Sequence, residues 1–285
     1  MTEPVPAPLS GARARQLLHL RDRKGRVREG RVLVEGPRAV DTAATAGAHL
    51  EYLVVSEAAS PFARGLAGEL SARGIDLALE SAARFADLCD TENPQGILAV
   101  AREPTFDLPE PGEGAADPAD PCLILVLDAV QDPGNAGTLV RSAAAFGVER
   151  VIALDGTVDL WNPKAVRASA GHAFSIPLHR LSAEAALDWL RATAISVVLA
   201  EAGGDDIRSL LATSTRRSGR RGLALVIGNE GAGPRPLVAA AAELKVALRL
   251  APGVDSLNAG VAGTVLLWCL APSSQPGDAL TPAQD

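Results

Sequence analysis

Cysteine is scarce in this 285-residue chain: Cys89, Cys122 and Cys269 lie far apart and form no C-x-x-C pair. That excludes a cysteine-held zinc cluster and a disulfide framework, and it fits a reducing, cytoplasmic compartment. The four histidines, His19, His49, His172 and His179, are isolated, so no metal is expected. Aromatic residues make up 3 %, with five Phe, three Trp and one Tyr. A sheet that binds bases through rows of stacked rings is therefore unavailable, and any nucleic acid has to be held by charge and hydrogen bonds. Lysine is also nearly missing: of 27 basic residues only Lys24, Lys164 and Lys245 are not arginine, and arginine is the better bidentate partner for phosphate. No charged-then-apolar leader opens the chain, and its most apolar stretch, Ala259 to Leu270, is too short to span a bilayer, so a soluble protein is expected.

An apolar share of 47 % is ample for a core. The net charge of −7 argues, as a bulk number, against a nucleic-acid partner, but its distribution does not. Nine basic residues, Arg13, Arg15, Arg21, Arg23, Lys24, Arg26, Arg28, Arg31 and Arg38, stand against Asp22, Glu29 and Glu35, a local net of +6 that leaves −13 elsewhere. This block is a candidate RNA contact, against the alternative of ordinary solvated faces. A second cluster, Arg216, Arg217, Arg220 and Arg221, lies in the run TSTRRSGRRG.

Residues 1–12 are Pro/Ala-rich and read as a flexible tail. RVLVEG (31–36), YLVVS (52–56) and GILAVA (96–101) read as strands with helices between, one of them from Pro37 to Gly47, which places a small α/β unit at 13–103. The acidic, proline-rich run that follows makes 104–121 a linker. Then come the short apolar runs LILVLD (123–128), VIAL (151–154), ISVVLA (195–200), LALVIG (223–228) and VALRLA (246–251). Such runs alternating with helices describe an α/β domain on a parallel sheet, at 122–271, and 272–285 reads as a disordered tail. In an open α/β sheet ligands sit beyond the carboxyl ends of strands. The site should therefore be built from the loops DAVQDPGNAG, GNEGAGP and PGVDSLN.

In the first loop Asn135 is placed to cap a helix from about Ala136 to Phe146, and Arg141 brings a charge beside an apolar face. Three glycines in GNEGAGP let backbone approach a ligand closely, although the spacing is neither that of a P-loop nor G-x-G-x-x-G. Glu230 among them could receive a hydroxyl, an ammonium or an arginine. Ser256 or Asn258 can cap the last helix, where Gly260 and Gly263 with Ala259 and Ala262 form a smooth face for close packing.

DPGNAGTLVRSAAAFG, NPKAVRASAGHAF, LVIGNEGAGP and SLNAGVAGTVLLW occur in this order over residues 122–270 and resemble the successive motifs of the SpoU/TrmH RNA 2′-O-ribose methyltransferases of the SPOUT superfamily. The resemblance implies a trefoil knot, S-adenosylmethionine held between the knotted loops, and a homodimer with its interface at the site. It implies activation of the ribose hydroxyl by Arg141 with Asn135 positioning the ribose, and Glu230, Ser256 and Asn258 around cofactor and target. Ile227, Gly228, Asn229, Gly231, Leu250, Ser256 and Leu257 would then hold the cofactor. Ala259 and Gly260 stand where the family usually has Val and Ser, and Pro234 where Leu is common. Residues 13–103, through REGRVLVEGPRAVDTA, are similar to a ribosomal-protein-like substrate-binding domain, which points to ribosomal RNA. The alternatives are a transfer-RNA 2′-O-methyltransferase and an RNA-binding paralogue without catalysis. For the chemistry itself, a guanidinium is too weak an acid to serve readily as a base, and stabilising a developing alkoxide is the easier role for Arg141.

Overall fold

The computed structural model of the protein describes residues 6–111, 122–212 and 222–271. The arginine run TSTRRSGRRG, most of the acidic linker and the segment 272–285 lie outside the described residues.

The first unit is a four-stranded mixed sheet of β1 (Arg31–Glu35), β2 (Leu50–Ser56), β3 (Asp76–Glu80) and β4 (Ile97–Arg102), in the order β1-β4-β2-β3. Its helices are α1 (Gly11–Leu20), α2 (Arg23–Glu29), α3 (Pro37–Thr45), α4 (Pro61–Ala72) and α5 (Ala82–Leu88). Side chains alternate across the pleat. Leu33 meets Leu17, Leu20, Tyr52 and Phe85 on one face, whereas Val32 and Val34 meet Val40 and Leu66 on the other. Proline opens α3 as the sequence suggests, and Gly47 follows it at φ +80°. The reading of 1–12 as a flexible tail does not hold from Ala7 onward. Leu9 is buried, its N–H donates to Glu80 Oε1 at 2.8 Å, and Ser10 caps α1. One leucine with an apolar slot to fill outweighs the Pro/Ala composition around it.

The second unit is a six-stranded parallel sheet of β5 (Cys122–Leu127), β6 (Arg150–Leu154), β7 (Leu178–Leu181), β8 (Ile195–Asp206), β9 (Gly222–Ile227) and β10 (Leu244–Ala247), in the order β10-β8-β9-β5-β6-β7. Leu123, Leu125 and Leu127 pack toward α6 (Pro133–Ala145) and α11 (Ala259–Leu270), while Ile124 and Val126 pack toward α8 (Ala183–Ala192) and α10 (Pro236–Ala241). Helices thus cover both faces, as the continuous apolar strands require. Two remaining short helices are α7 (Pro163–Ala168) and α9 (Ile207–Ala212).

The units share one apolar cluster, which runs from Val32, Val34 and Ala39 to Val151, Val166 and Phe174. Gly171 shows how closely they approach: it sits at φ +85°, and a Cβ there would lie 2.4 Å from Ala39 O. Two ion pairs cross the junction, Arg26–Asp159 at 2.6 Å and Arg167–Glu35 at 2.8 Å. Arg26, 2 % exposed, also donates to the carbonyls of Leu20 and Arg21, so it is a buried bridge between the units and not the RNA contact expected of it.

Candidate active site

Three loops meet at the carboxyl ends of β5 and β9. Leaving β5, Asp128 is fully buried and Ala129 takes φ +59°. Thr157 Oγ1 holds that corner, accepting from Ala129 N at 3.0 Å and donating to Leu127 O at 2.7 Å. Helix α6 then begins earlier than expected. Pro133 occupies its first turn and Asp132, not Asn135, is the N-cap, its Oδ1 accepting from Asn135 N at 2.8 Å. That hydrogen bond and Lys164 hold the Asp132 carboxyl below its usual range. With the cap made by Asp132, the Asn135 amide is available for side-chain contacts.

The loop after β9 is braced from inside. Asn229 exchanges backbone hydrogen bonds with Gly233, its Oδ1 accepts from Gly231 N at 3.0 Å and Ala232 N at 2.8 Å, and its Nδ2 donates to Ala129 O at 2.8 Å. Gly228 is required where strand gives way to loop, because a Cβ there would lie 2.7 Å from Pro234 N. The far end is clamped by Arg235, which sequence reasoning passed over although it directly follows GNEGAGP. Its Nε and N donate to the two oxygens of Asp128 at 2.6 and 2.8 Å, and its guanidinium also donates to Asp155 O.

Between these anchors Glu230 accepts from Asn135 Nδ2 at 3.0 Å, Gln131 N at 3.2 Å and Asp132 N at 3.4 Å. Burial raises its pKa, but the Asn135 amide and the backbone donors outweigh this, so the carboxyl lies below its ordinary value. The chain of contacts continues: Asn258 caps α11 through Val261 N and donates from Nδ2 to Asn135 Oδ1 at 2.8 Å. Close packing makes this reach possible, since a Cβ on Gly263 would lie 2.3 Å from Leu139 Cδ2 of α6.

Beside this network lies a cleft of about 910 Å³. All seven residues expected to hold a cofactor, Ile227, Gly228, Asn229, Gly231, Leu250, Ser256 and Leu257, line it together with Glu230. Asn135 and Asn258 act on it through Glu230. Its wall is apolar at Ile227, Leu250, Leu257 and Leu266, and acidic at Glu201, Asp206, Glu230 and Asp255 against one cation, Arg249. A ligand with a flat apolar ring and positive charge fits that lining, and S-adenosylmethionine has both. Among the described residues no group of three or more His, Cys, Asp and Glu is arranged to hold a metal.

Arg141 does not join this cluster within the chain. Six residues after Asn135, it is turned roughly 240° around α6 at about 100° per residue. Asn135, Leu139 and Ser142 face α11, whereas Arg141 emerges, exposed, on the α7 side and lines a cavity between the units with Arg38 and Arg167. There, after burial, its charge is the second cause holding the His172 pKa below the usual imidazole range.

The basic block divides in the structure. Arg13 binds Asp76 at 2.6 Å, Arg21 donates to the carbonyls of Asp87 and Cys89, Arg28 pairs with Glu29, and Arg31 pairs with Glu51 at 2.6 Å. Arg15, Arg23, Lys24 and Arg38 are exposed, and their side chains make no ion pair or hydrogen bond among the described residues.

The SpoU rRNA Methylase family matches residues 122–268, and the MRM3-like substrate binding domain matches residues 12–99. The 23S rRNA (guanosine(2553)-2′-O)-methyltransferase RlmP of Bacillus subtilis is 32 % identical over 88 % of this chain and 92 % of that relative. Among solved structures, the SpoU methyltransferase AviRb from Streptomyces viridochromogenes superposes with a TM-score of 0.75 at 28 % identity, covering 91 % of this chain and 96 % of that one. The AdoMet-bound rRNA methyltransferase from Sinorhizobium meliloti gives 0.74 at 28 % identity, covering 93 % and 95 %.

Proposed function

Since the chain belongs to the SpoU rRNA methylase family, we propose that it transfers the methyl group of S-adenosylmethionine to a ribose 2′-hydroxyl of ribosomal RNA. The observation that carries this reading is the hydrogen-bonded chain Asn258–Asn135–Glu230 standing at an acidic, partly apolar cleft lined by every residue expected to hold the cofactor.

S-adenosylmethionine, when bound, supplies a methyl group on a sulfonium that is already a good leaving group. The protein's part is to orient and to manage charge. Backbone groups near Ile227, Gly228 and Leu250 would hold the cofactor's adenine and ribose, and the acidic wall would suit its positive end. Glu230 fixes the Asn135 amide by accepting from its Nδ2, and Asn135 positions the ribose. A ribose hydroxyl is barely ionised at neutral pH, so the oxygen must pass its proton to solvent water as it attacks. Arg141 stabilises the developing alkoxide.

The working unit in this reading is a homodimer with a knotted catalytic domain. Val261, Val265 and Trp268, at i, i+4 and i+7 on α11, are 49, 37 and 66 % exposed, an apolar stripe beside the site suited to a second copy of the chain. Such a dimer also offers a source for Arg141 at a cleft that this residue does not line in its own chain.

The test is methylation of 23S ribosomal RNA fragments by the purified protein with labelled S-adenosylmethionine, mapped by mass spectrometry. One nucleoside carrying a 2′-O-methyl group is expected, and a 2′-deoxy target nucleotide should bind without accepting methyl. Methylation of that deoxy substrate would place the acceptor on a base and overturn the reading.

A further inference from the structure

A cavity of about 700 Å³ opens in the first unit beside Phe62, between the loops that follow β1 and β2 and the one that precedes β4. A smaller one of about 300 Å³ lies between the units and is lined by Arg141 and Arg167. The two adjoin, because Arg38, Pro94 and Gln95 line both. Arg38 thus stands between Phe62 on one side and, on the other, the arginine assigned to the ribose chemistry.

The lining of the two cavities is selective. It carries Arg38, Arg141 and Arg167 and a single carboxylate, Glu35, which is held by Arg167 Nη1 at 2.8 Å and Asp90 N at 2.6 Å. Positive charge thus dominates this lining in a protein whose net charge is −7. At the outer end Phe62 is 57 % exposed in the second position of α4, where a small polar residue would serve the helix as well. Phe85, 1 % exposed, forms the floor. Ser56 and Ser60 each accept one backbone N–H, which leaves their hydroxyl protons free to donate. An exposed ring, hydroxyl and amide groups, and an arginine at the exit match the parts of a nucleotide: base face, base edge and phosphate.

We propose that this cavity holds an unpaired nucleotide of the RNA substrate, its base stacked on Phe62 and its phosphate against Arg38, so that the strand is led toward Arg141. The proposal rests on the RNA methyltransferase reading and adds to it a specific subsite. A base in a duplex is locked in its stack, so only a splayed-out or single-stranded nucleotide can enter. A volume of about 700 Å³ falls in the usual range of about 300–1,000 Å³ for ligand pockets. The scarcity of aromatic residues excluded rows of rings, but one ring at the lip of a basic cavity suffices for one base.

The test compares wild type with Phe62→Ala, Phe62→Tyr and Arg38→Gln, using the ribosomal RNA fragment that the wild type methylates and pentaribonucleotides with a central 2-aminopurine. Base stacking contributes about 1–3 kcal/mol, so Phe62→Ala should weaken RNA binding roughly 5- to 150-fold and abolish quenching of 2-aminopurine. Phe62→Tyr should restore both. Arg38→Gln should lower the salt dependence of binding by about one phosphate, a slope change of about 0.7 for single strands. S-adenosylmethionine affinity and melting temperature should stay unchanged in all three. RNA affinity and quenching equal to wild type in Phe62→Ala overturn the subsite and leave the methyltransferase reading standing. A wild type that neither binds nor methylates ribosomal RNA overturns both.

Discussion

Replacing Arg235 by alanine probes how the catalytic loop is held. Asp128 is fully buried, and its carboxylate accepts from Arg235 Nε at 2.6 Å and from Arg235 N at 2.8 Å. Alanine removes the first contact and the one to Asp155 O, and keeps the backbone one. A hydrogen bond to a charged group contributes about 1.5–3 kcal/mol, and breaking a buried pair costs about 3–5 kcal/mol. The guanidinium side is 30 % exposed, so water fills part of the gap and about 2–4 kcal/mol is the expected loss. At about 2–4 °C per kcal/mol for a chain of this size, the melting temperature should fall by on the order of 10 °C. Because the clamp ends the loop that carries Glu230, S-adenosylmethionine should also bind about tenfold more weakly, a change of about 1.4 kcal/mol. Arg235→Lys should fall between, since an ammonium keeps the charge without the planar fork. Thermal melts and calorimetric titration of the cofactor, run as a double-mutant cycle with Asp128→Asn, measure the coupling. A coupling below about 0.5 kcal/mol, or full cofactor affinity despite the lost stability, would refute the clamp.

If Arg141 acts across a dimer, mixing Arg141→Ala protomers with Glu230→Ala protomers should regenerate one intact site per heterodimer and restore activity in single-turnover assays. Action within one chain predicts none. Gly263→Ala should cost about 1–3 kcal/mol in denaturant unfolding, because the added Cβ meets Leu139 Cδ2 at 2.3 Å in the tight α6–α11 contact, and an unchanged midpoint would contradict that packing. The His172 pKa, depressed by burial and then by Arg141, should rise toward its ordinary value in Arg141→Ala, as followed by NMR titration of the imidazole. A depressed histidine pKa contributes stability that is full above the unfolded value of about 6.5 and is lost as pH falls through the folded value. The variant should therefore lose less stability on the acid side of pH 6.5 than wild type, and an unmoved titration would place Arg141 away from His172.

Sequence patterns revealed the strands with continuous apolar runs and missed two edge strands. β3 alternates buried and exposed residues and β7 is only LHRL, so neither carries the run that marks a strand covered on both faces. β8 was expected to end near Ala200, but pairing with β10 across a register shift carries it through polar residues to Asp206. The loops that build the cleft were legible because Gly, Asn, Asp and Pro, residues suited to turns, follow directly on apolar strand runs. The N-cap was misplaced by three residues because Asp132 and Asn135 are both good caps, and Pro133 decides between them only once the first turn is seen to begin there.

Sequence alone thus determined the strand-and-loop order, the three site loops and the residue types of the cleft, since these follow from local periodicity and turn chemistry. Tertiary structure alone decided which charges remain available. Arg26 and Arg38 belong to the same basic block, yet one is sealed between the units against Asp159 and the other opens a cavity toward Arg141. Asn135 and Arg141 lie within two turns of one helix, yet α11 and α7 take different faces of it and send one to the Glu230–Asn258 network and the other to the cavity between the units. Burial and partner choice depend on what packs from far along the chain, and neighbouring residues in sequence carry no record of that.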